Sequence, residues 1–372
     1  MMANVAILAA HFSTTAFPAA AVPAILAAVT VGPPTAPASR GAPVEVGAAR
    51  MLMGTLCNAV AVDPDSTRAR HALAGSLDEI ARLEDVMSSW KPASELRSLN
   101  ASAGAPFACS ADLHAVLDSA RALAEATGGA FDPTVEPLSR AWDLRGEGRI
   151  PSREEVRQAR ALVNWQRLRL EPESRSATLE TPGMGLDLGG IGKGFALDRA
   201  AAELRARGVR NALLNFGGEL LAMGSPAASE EGWEVTVAHP DDRLRPVVRL
   251  EVLEAAVSTS AQSERGFTRR GRRYGHVLDP RTGLPLAGRG SVTVVAPSAT
   301  RADALSTAFL VLGRERSAEW WRRHPSVGVL WLEPDGAGVR AWAWNLPSAV
   351  ALPGARVIWR TSPSAVRAVQ HD

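Results

Sequence analysis

The feature that most restricts how this chain can fold is a glycine-rich segment that leads straight into a helix. Residues 187–194 contain four glycines, and residues 195–207 then carry a helical apolar pattern that stops at Gly208. Glycine lacks a Cβ atom, so the backbone here can approach a neighbour closely, and the start of the helix leaves N–H groups free. Such a bend can hold a phosphate, to which Lys193 would add a compact positive charge.

This segment does not match the common nucleotide-binding signatures. A P-loop needs Ser or Thr after its lysine to reach a metal ion, and Gly194 stands at that position. The glycine spacing is also too compressed for a Rossmann fingerprint. A tight structural turn therefore stays open as the alternative to a phosphate site.

The apolar patterns predict helices and strands in separate runs. Two helices are indicated by apolar residues at steps of three and four, and the second is opened by Ser110 and closed by Gly128 and Gly129. Their apolar stripes comprise Leu73, Leu77, Ile80, Leu83 and Met87, and then Leu113, Val116, Leu117, Ala120 and Leu123. Strands are predicted at residues 51–62, 211–216, 233–238, 248–252, 275–278, 291–296, 327–332 and 339–344, with a helix at 301–312. Because the strands come mostly in runs, an α+β fold is favoured over a doubly wound parallel sheet.

Length and composition limit the class of protein. A chain of 372 residues with 22% charged residues can form one large soluble domain, predicted over residues 45–350 with 351–372 as a tail. The net charge of +2 provides no electrostatic footprint for nucleic acid, so that class of partner is not expected. Cys57 and Cys109 lack the spacing of a zinc site or a redox pair and are expected to be buried. A disulfide between them stays open if the chain is exported.

The first 40 residues are predicted to be a signal peptide or a disordered extension. Residues 1–39 contain no charged side chain, and Ala36-Pro37-Ala38 is a possible cleavage site, but the basic start of a signal peptide is missing. Pro18 and Pro23 argue against a membrane-spanning helix. We expect a periplasmic location, or one associated with the membrane on its exported side, with a cytoplasmic location as the alternative.

A second informative segment, residues 300–307, suggests a magnesium site. Asp303 and Thr307 are four residues apart and share one face of the predicted helix. Mg²⁺ prefers oxygen ligands and commonly uses few protein groups together with substrate phosphate and water. The alternative is that Thr300 and Asp303 form a capping box at the helix start.

Three further segments carry residues suited to binding or proton transfer. His276 lies beside Tyr274, the only tyrosine, and could take a proton from an attacking hydroxyl, although a structural histidine is the commoner case. Trp90 could stack on a flat ring, and Ser94, Glu95 and Asn100 could bond its polar edges. A loop that follows the second helix could likewise aim Asp132 at a ligand. For the Trp90 loop, the alternative is a structural loop with a partly buried tryptophan.

Read in order, these segments resemble the ApbE family, the FAD:protein FMN transferases. The similarity begins at Met53-Gly54-Thr55 and includes residues 90–92, 129–135, 187–194 and 215–219. It continues through Gly275-His276 and residues 279–283 and ends at residues 302–307. The resemblance implies an α+β fold related to T-fold domains, with FAD in a cleft lined by these loops.

The resemblance also implies the site residues. Magnesium would be bound by Asp303, Thr307 and the carbonyl of Gly192, where the family usually has alanine. His276 and Lys193 would be catalytic. The FAD-binding residues would be Met53, Trp90, Ser94, Glu95, Asn100, Asp132, Asp187, Gly189, Gly190, Lys193 and His276.

The implied reaction is magnesium-dependent transfer of FMN from FAD to a threonine hydroxyl of an acceptor flavoprotein in an electron-transfer complex, with release of AMP. Two alternatives stay open: a magnesium-dependent FAD pyrophosphatase, and a non-catalytic FAD-binding assembly protein. The sequence departs from the family pattern at Ala261, Gln262 and Ser263, and at Glu136, which stands where glycine is usual. The first departure weakens the transfer of residue roles at positions 261–263, and Glu136 adds a negative charge near the implied cleft.

Overall fold

The structure, a computed structural model, describes residues 43–226, 232–263 and 265–361. Its helices are α1 Ser66–Met87, α2 Glu95–Ala101, α3 Ala111–Ala126, α4 Glu136–Ala141, α5 Arg153–Ala161, α6 Gly192–Ala206, α7 Ala299–Leu312 and α8 Arg314–Arg323, with a 3-10 turn at Trp165–Arg167. Its strands are β1 Val44–Leu52, β2 Thr55–Asp63, β3 Phe107–Ala108, β4 Leu168–Glu171, β5 Ser176–Leu179, β6 Asn211–Phe216, β7 Glu219–Met223, β8 Trp233–His239, β9 Asp242–Val252, β10 Ala255–Ala261, β11 Gly266–Arg269, β12 Arg272–Gly275, β13 Leu278–Asp279, β14 Leu284–Pro285, β15 Ser291–Ala296, β16 Gly328–Asp335, β17 Gly338–Trp344, β18 Val350–Ala351 and β19 Val357–Thr361.

A large sheet of nine strands forms the centre of the fold. Its strand order is β1-β2-β6-β7-β10-β15-β16-β17-β19, and every neighbouring pair is antiparallel except β17 and β19. One face packs against a helical layer that includes α1, α6 and α7. The other face packs against a small sheet with the order β18-β9-β8, which closes a second apolar core. The predicted α+β class is therefore confirmed.

The two predicted amphipathic helices form as expected. All five residues of the first stripe are buried on α1, which begins after Asp65, whose carboxylate accepts hydrogen bonds from the amides of Thr67 and Arg68. The second stripe is buried on α3, where Ser110 caps the helix by accepting a hydrogen bond from the amide of Leu113. Periodicity alone was sufficient here because each helix has one continuous apolar face.

Two predicted strands are wrong in detail. The apolar run 51–62 spans the end of one strand and most of the next, because Met53 and Gly54, with φ of 45° and 73°, turn the chain back as a hairpin. The run 275–278 is also divided: β12 ends at Gly275 and β13 begins at Leu278. His276 consequently lies in the connection between two short strands rather than within one.

The folded region extends past the predicted boundary at residue 350. Val357–Thr361 is the ninth strand of the large sheet and runs parallel to β17, so the first part of the expected tail belongs to the domain. Residues 1–42 and 362–372, where the expected signal segment and the rest of the tail fall, lie outside the described residues. Cys57 and Cys109 are both buried free thiols, as expected. Within the described ranges, no helix is both long and apolar enough to cross a membrane.

Candidate functional site

The glycine-rich segment and helix α7 lie in direct contact. The amide of Gly194, in the first turn of α6, donates a 3.0 Å hydrogen bond to Oδ2 of Asp303 on α7. A Cβ atom on Gly194 would lie 2.2 Å from the carbonyl oxygen of Ala299, and one on Gly190 would lie 3.1 Å from Oγ1 of Thr307. Glycine is therefore required at position 194, and the fold brings together the two segments that the sequence singled out.

Helix α7 is fixed against α6 by Asp198. This carboxylate accepts hydrogen bonds from the amides of Ala299 and Thr300, at 2.8 and 2.9 Å, and from the hydroxyl of Thr300 at 2.6 Å. The N-cap of α7 is Ser298, whose hydroxyl accepts from the amide of Arg301. Thr300 and Asp303 do not cap the helix together, because their side chains bond to α6. The capping-box alternative is therefore wrong.

The oxygen groups around Asp303 suit a magnesium ion. Asp303 is 2% exposed, and burial raises the pKa of its carboxyl group, although the charge of Lys193 and the amide of Gly194 act in the opposite direction. A buried carboxylate is costly unless a cation or donors compensate it. In the parts of the chain that are described, no group of three or more His, Cys, Asp or Glu side chains is placed so that it could hold a metal ion. One carboxylate and the Thr307 hydroxyl fit Mg²⁺, which can complete its shell with phosphate and water.

Position 192 needs no glycine for steric reasons. A Cβ atom there would lie 3.8 Å from Cβ of Leu188 and 3.9 Å from Sδ of Met87, both ordinary contacts. The site thus has room for the alanine that is usual in the family at this position. The role of the Gly192 carbonyl as a metal ligand stays a prediction.

Lys193 is the common neighbour of the charged groups of the site. Its Nζ lies 2.9 Å from Oε1 of Glu219 at the start of β7. Its positive charge opposes the rise that burial causes in the pKa of Asp303 and adds to the fall that burial causes in the pKa of His276. We call the region formed by the Gly189–Gly194 turn, Lys193, His276, Asp303 and Thr307 the glycine-turn site.

His276 is held as a neutral imidazole. Burial, followed by the positive charges of Arg265, Lys193 and Arg243, lowers the pKa of His276 to about 4. Its Nδ1 atom is buried, and no hydrogen-bond partner for it exists among the residues that the structure describes. An uncharged imidazole with an unpaired nitrogen can accept a proton from a hydroxyl group.

Gln262 fixes the segment that carries His276. Its Oε1 accepts a 3.1 Å hydrogen bond from the amide of Val277, and its Nε2 donates to the carbonyls of Val277 at 2.8 Å and Leu286 at 3.1 Å. Gln262 is only 7% exposed, so these bonds are shielded from water. The side chain therefore acts like an additional strand partner for the residue after His276. Sequence reasoning noted Gln262 only as a departure from the family pattern and missed this role.

Asn100 and Asp187 form hydrogen bonds with the backbone at the start of the glycine-rich turn. Asn100 bonds both backbone groups of Leu186, with distances of 2.7 and 3.0 Å. Asp187 accepts a 2.9 Å bond from the amide of Gly189 through one oxygen and a 2.8 Å bond from Arg145 through the other. These contacts fix the backbone conformation where the chain enters the turn.

Glu136, the second departure from the family pattern, belongs to the same network. Its carboxylate pairs with both terminal nitrogens of the Arg145 guanidinium, one of them at 2.8 Å, while burial raises the pKa of Glu136. Arg145 therefore bridges Glu136 and Asp187 and offsets the extra negative charge. No local sequence pattern indicated this arginine, because it meets its partners only in the folded chain.

Three residues assigned to FAD by resemblance are used by the protein itself. The Ser94 hydroxyl is 1% exposed, donates to the carbonyl of Ser88 and caps α2. Glu95 accepts a 2.5 Å bond from the amide of Ser110 before α3, and the buried Asp132 carboxylate accepts from Thr134 and the amide of Trp165. These side chains thus form structural hydrogen bonds in the fold, and their contacts with FAD stay a prediction.

Trp90 and Met53 have different surroundings. Trp90 is 60% exposed in the loop between α1 and α2, so its ring has a large face available for stacking. Met53 is half-buried at the turn of the β1–β2 hairpin and packs against the main core. Both stay predicted contacts of the flavin.

Comparison with known proteins places the chain among flavin transferases. The ApbE family model matches residues 53–331. The FAD:protein FMN transferase of Treponema pallidum is 34% identical over 311 residues, which cover 78% of this chain and 85% of that protein. The FAD:protein FMN transferase of Salmonella typhimurium is 30% identical over 318 residues, covering 83% and 89%.

Solved structures agree with the sequence comparisons. The crystal structure of the ApbE protein of Thermotoga maritima matches with a TM-score of 0.72 and 29% identity, covering 77% of this chain and 94% of that one. The flavin transferase ApbE of Vibrio cholerae matches with a TM-score of 0.70 and 29% identity, covering 81% and 97%. The glycine-rich turn, the α7 motif and His276 all fall inside the matched region. On sequence and on fold, the chain belongs to the ApbE family.

Proposed function

We propose that this protein transfers the FMN half of FAD to a threonine hydroxyl of an acceptor flavoprotein, releases AMP, and depends on magnesium. The observation that carries the proposal is the position of Lys193, whose charge acts on both Asp303 and His276 while its backbone belongs to the glycine-rich turn. A diphosphate, a cation ligand and a proton acceptor can therefore share one site. The names of the relatives support the same activity.

The glycine-rich turn and Lys193 would bind the diphosphate of FAD. The amides at the start of α6 and the Lys193 ammonium group both favour negative charge at this place. Asp303, Thr307 and the Gly192 carbonyl would hold the magnesium ion, which would draw negative charge from the diphosphate. The exposed ring of Trp90 would cover the flavin.

His276 would accept the proton of the attacking hydroxyl. The threonine oxygen forms a bond to the phosphorus of the FMN half, and the bond from that phosphorus to the bridging oxygen breaks, so AMP leaves with this oxygen. The hydroxyl proton passes to the imidazole. Because the pKa of His276 is lowered to about 4, this imidazole is neutral near neutral pH and can receive the proton. Gln262 holds the segment in place during this step.

Mass spectrometry of an acceptor protein tests the reaction. After incubation with FAD and Mg²⁺, the acceptor should gain the mass of one FMN group, and an acceptor with valine in place of its threonine should gain none. His276→Ala should lower the rate of transfer by about a hundredfold or more while FAD still binds. Free FMN without labelled acceptor would instead identify a pyrophosphatase, and intact FAD after prolonged incubation would identify a binding protein.

We also propose that the protein acts on the exported side of a membrane. The support is the absence of charged side chains in residues 1–39, together with the small residues at 36–38. The N-terminal sequence of the protein purified from its host tests this. A mature chain that begins near residue 39 supports export, and an uncleaved chain recovered with cytoplasmic markers would exclude it.

A further inference from the structure

The hairpin formed by β11 and β12 concentrates positive charge beside the glycine-turn site. Residues 265–278 contain five arginines and no Asp or Glu, although the whole chain has 41 basic and 39 acidic side chains. Arg269, Arg270, Arg272 and Arg273 are all exposed. We call Gly266–Gly275 the arginine hairpin. Its charge is local, because the rest of the chain is nearly balanced.

The arginines occupy positions that do not favour the stability of a hairpin. Arg269 and Arg272 are directly opposite each other across the two strands, and like charges in this arrangement repel. Arg270 takes a positive φ of 52° at the turn, followed by Gly271 at 72°, where Asn, Asp or Gly is normally preferred. A sequence that keeps arginine at such positions points to a role other than stability.

Few carboxylates of the protein neutralise this charge. Arg269 lies 3.6 Å from Glu147, whose side chain is 93% exposed, so this pair is weak. Arg273 donates a 2.9 Å hydrogen bond to the carbonyl of Ser263. Within the described part of the chain, Arg270 and Arg272 form no ion pair. The guanidinium carbon of Arg272 also lies 5.3 Å from the centroid of the Tyr274 ring, but Arg270 and Arg272 both remain exposed, so their cationic groups can reach an external anion.

The apolar side chains of the hairpin face the protein. Phe267 stacks on Tyr274 with ring centroids 5.3 Å apart, and Tyr274 lies 5.8 Å from Trp142 in the small apolar core near α4. No aromatic side chain of the hairpin is exposed. Insertion into a lipid surface would need an exposed apolar face, so the surface suits an acidic polypeptide better than a bilayer.

The chain continues from the arginine hairpin directly to His276. Strand β12 ends at Gly275, and a bound segment would therefore lie next to the imidazole that receives the hydroxyl proton. We propose that the arginine hairpin is the docking surface for an acidic segment of the acceptor protein, flanking the hydroxyl that is modified. This inference rests on the proposed transferase function and adds how the acceptor is recognised.

Binding of a designed peptide tests the docking surface without catalysis. The probe is a fluorescent peptide with one threonine flanked by aspartates, and its control has asparagine at those positions. We expect the wild-type protein to bind the acidic peptide at least about tenfold more tightly than the control peptide, and the difference to shrink between about 0.02 M and about 0.2 M NaCl. Equal binding of the two peptides would overturn the proposal.

Charge-reversal variants assign the binding to the hairpin. Arg270→Glu with Arg272→Glu should weaken acidic-peptide binding about tenfold or more, and the milder Arg270→Gln with Arg272→Gln should give a smaller loss. The matched control is Arg322→Glu with Arg323→Glu, two exposed arginines at the end of α8, which should bind like the wild type. An equal loss in the control would refute a role for the hairpin. Thermal melting checks that each variant is folded.

Two further measurements separate this inference from the function on which it rests. At saturating concentrations of the asparagine-flanked control peptide, FMN transfer from FAD with Mg²⁺ should be the same in the wild type and the hairpin variants, so an absence of transfer by the wild type would refute the transferase proposal alone. Vesicles with anionic lipid should not compete with the peptide. Arginine-dependent binding to vesicles, with no binding of the acidic peptide, would assign the hairpin to a membrane and refute docking of a protein segment.

Discussion

The amide of Gly194 donates a 3.0 Å hydrogen bond to Oδ2 of Asp303, joining two residues that are 109 positions apart in the chain. This bond connects the first turn of α6 to the second turn of α7. It fixes an acidic oxygen beside the glycine-rich turn, and Asp198, one helical turn further along α6, binds the first residues of α7. The geometry of the candidate site therefore depends on how closely these two helices approach.

An added methyl group should lower the stability of the protein at one of the two glycines that flank Lys193 and leave it unchanged at the other. Gly194→Ala places a Cβ atom 2.2 Å from the Ala299 carbonyl and should destabilise the fold by about 1–3 kcal/mol or more, because backbone atoms must move. Gly192→Ala meets nothing closer than 3.8 Å and should retain stability and FAD cleavage. Urea unfolding of both variants measures this difference. A stable, active Gly194→Ala protein would contradict the close approach.

Asp303→Asn should abolish magnesium-dependent FAD cleavage without unfolding the protein. The amide oxygen of asparagine can still accept the hydrogen bond of Gly194, and removal of a buried charge costs little stability. Calorimetric titration of Mg²⁺ into the FAD complex should show weakened metal binding. Retained magnesium-dependent cleavage would exclude Asp303 as a ligand.

Asp198→Asn provides the matched control for that experiment. Asparagine has one acceptor oxygen, whereas the Asp198 carboxylate accepts bonds from the amides of Ala299 and Thr300 and from two hydroxyls. This variant should lose about 1–3 kcal/mol of stability. Magnesium dependence should persist in the fraction that stays folded, so the two aspartates can be told apart.

Gln262→Ala should slow transfer by acting through His276. The change removes three buried hydrogen bonds that hold Val277 and Leu286, so we expect kcat to fall with little change in the KM for FAD. Ser263→Ala is the control, because its hydroxyl bonds to Pro240 instead. In a double-mutant cycle, the effects of Gln262→Ala and His276→Ala should not add. Additive effects would show that Gln262 serves stability alone.

His276 should make stability depend on pH between about 4 and 6.5. Its pKa is lowered from 6.5 to about 4 in the fold, so the unfolded chain takes up a proton first as the pH falls. The contribution to stability is complete above pH 6.5 and is lost as the pH falls toward about 4. His276→Gln should flatten the dependence of the free energy of unfolding on pH over this window. Equal slopes in the wild type and the variant would contradict a neutral buried imidazole.

The sequence by itself was sufficient for features that depend on local pattern. The apolar stripes of α1 and α3 predicted helices whose stripe residues are all buried, and the runs of strands predicted the α+β class. The ordered motifs from Met53 to Thr307 predicted the ApbE family, which the comparisons confirm. Periodicity can be read from the sequence because it is set by residues a few positions apart, and the order of the motifs is itself a property of the sequence.

Local pattern failed where distant residues compete for the same group. Thr300 and Asp303 have the spacing of a capping box, but Asp198 binds the first and Gly194 the second, and neither partner is near in sequence. The sequence likewise showed neither the cap that Ser94 forms on α2 nor the bond that Glu95 accepts from the amide of Ser110. A side chain's hydrogen-bond partners depend on the whole arrangement of the chain.

The sequence determined which family this chain belongs to and which of its helices are amphipathic. Only the tertiary structure decided that Gln262 holds the His276 segment and that Arg145 neutralises Glu136 beside Asp187. The physical reason is that apolar burial follows a repeating pattern along the chain, whereas a hydrogen bond or ion pair requires two particular atoms to meet within about 3 Å. Which atoms meet is decided by the packing of the whole chain, and a short stretch of residues does not specify that packing.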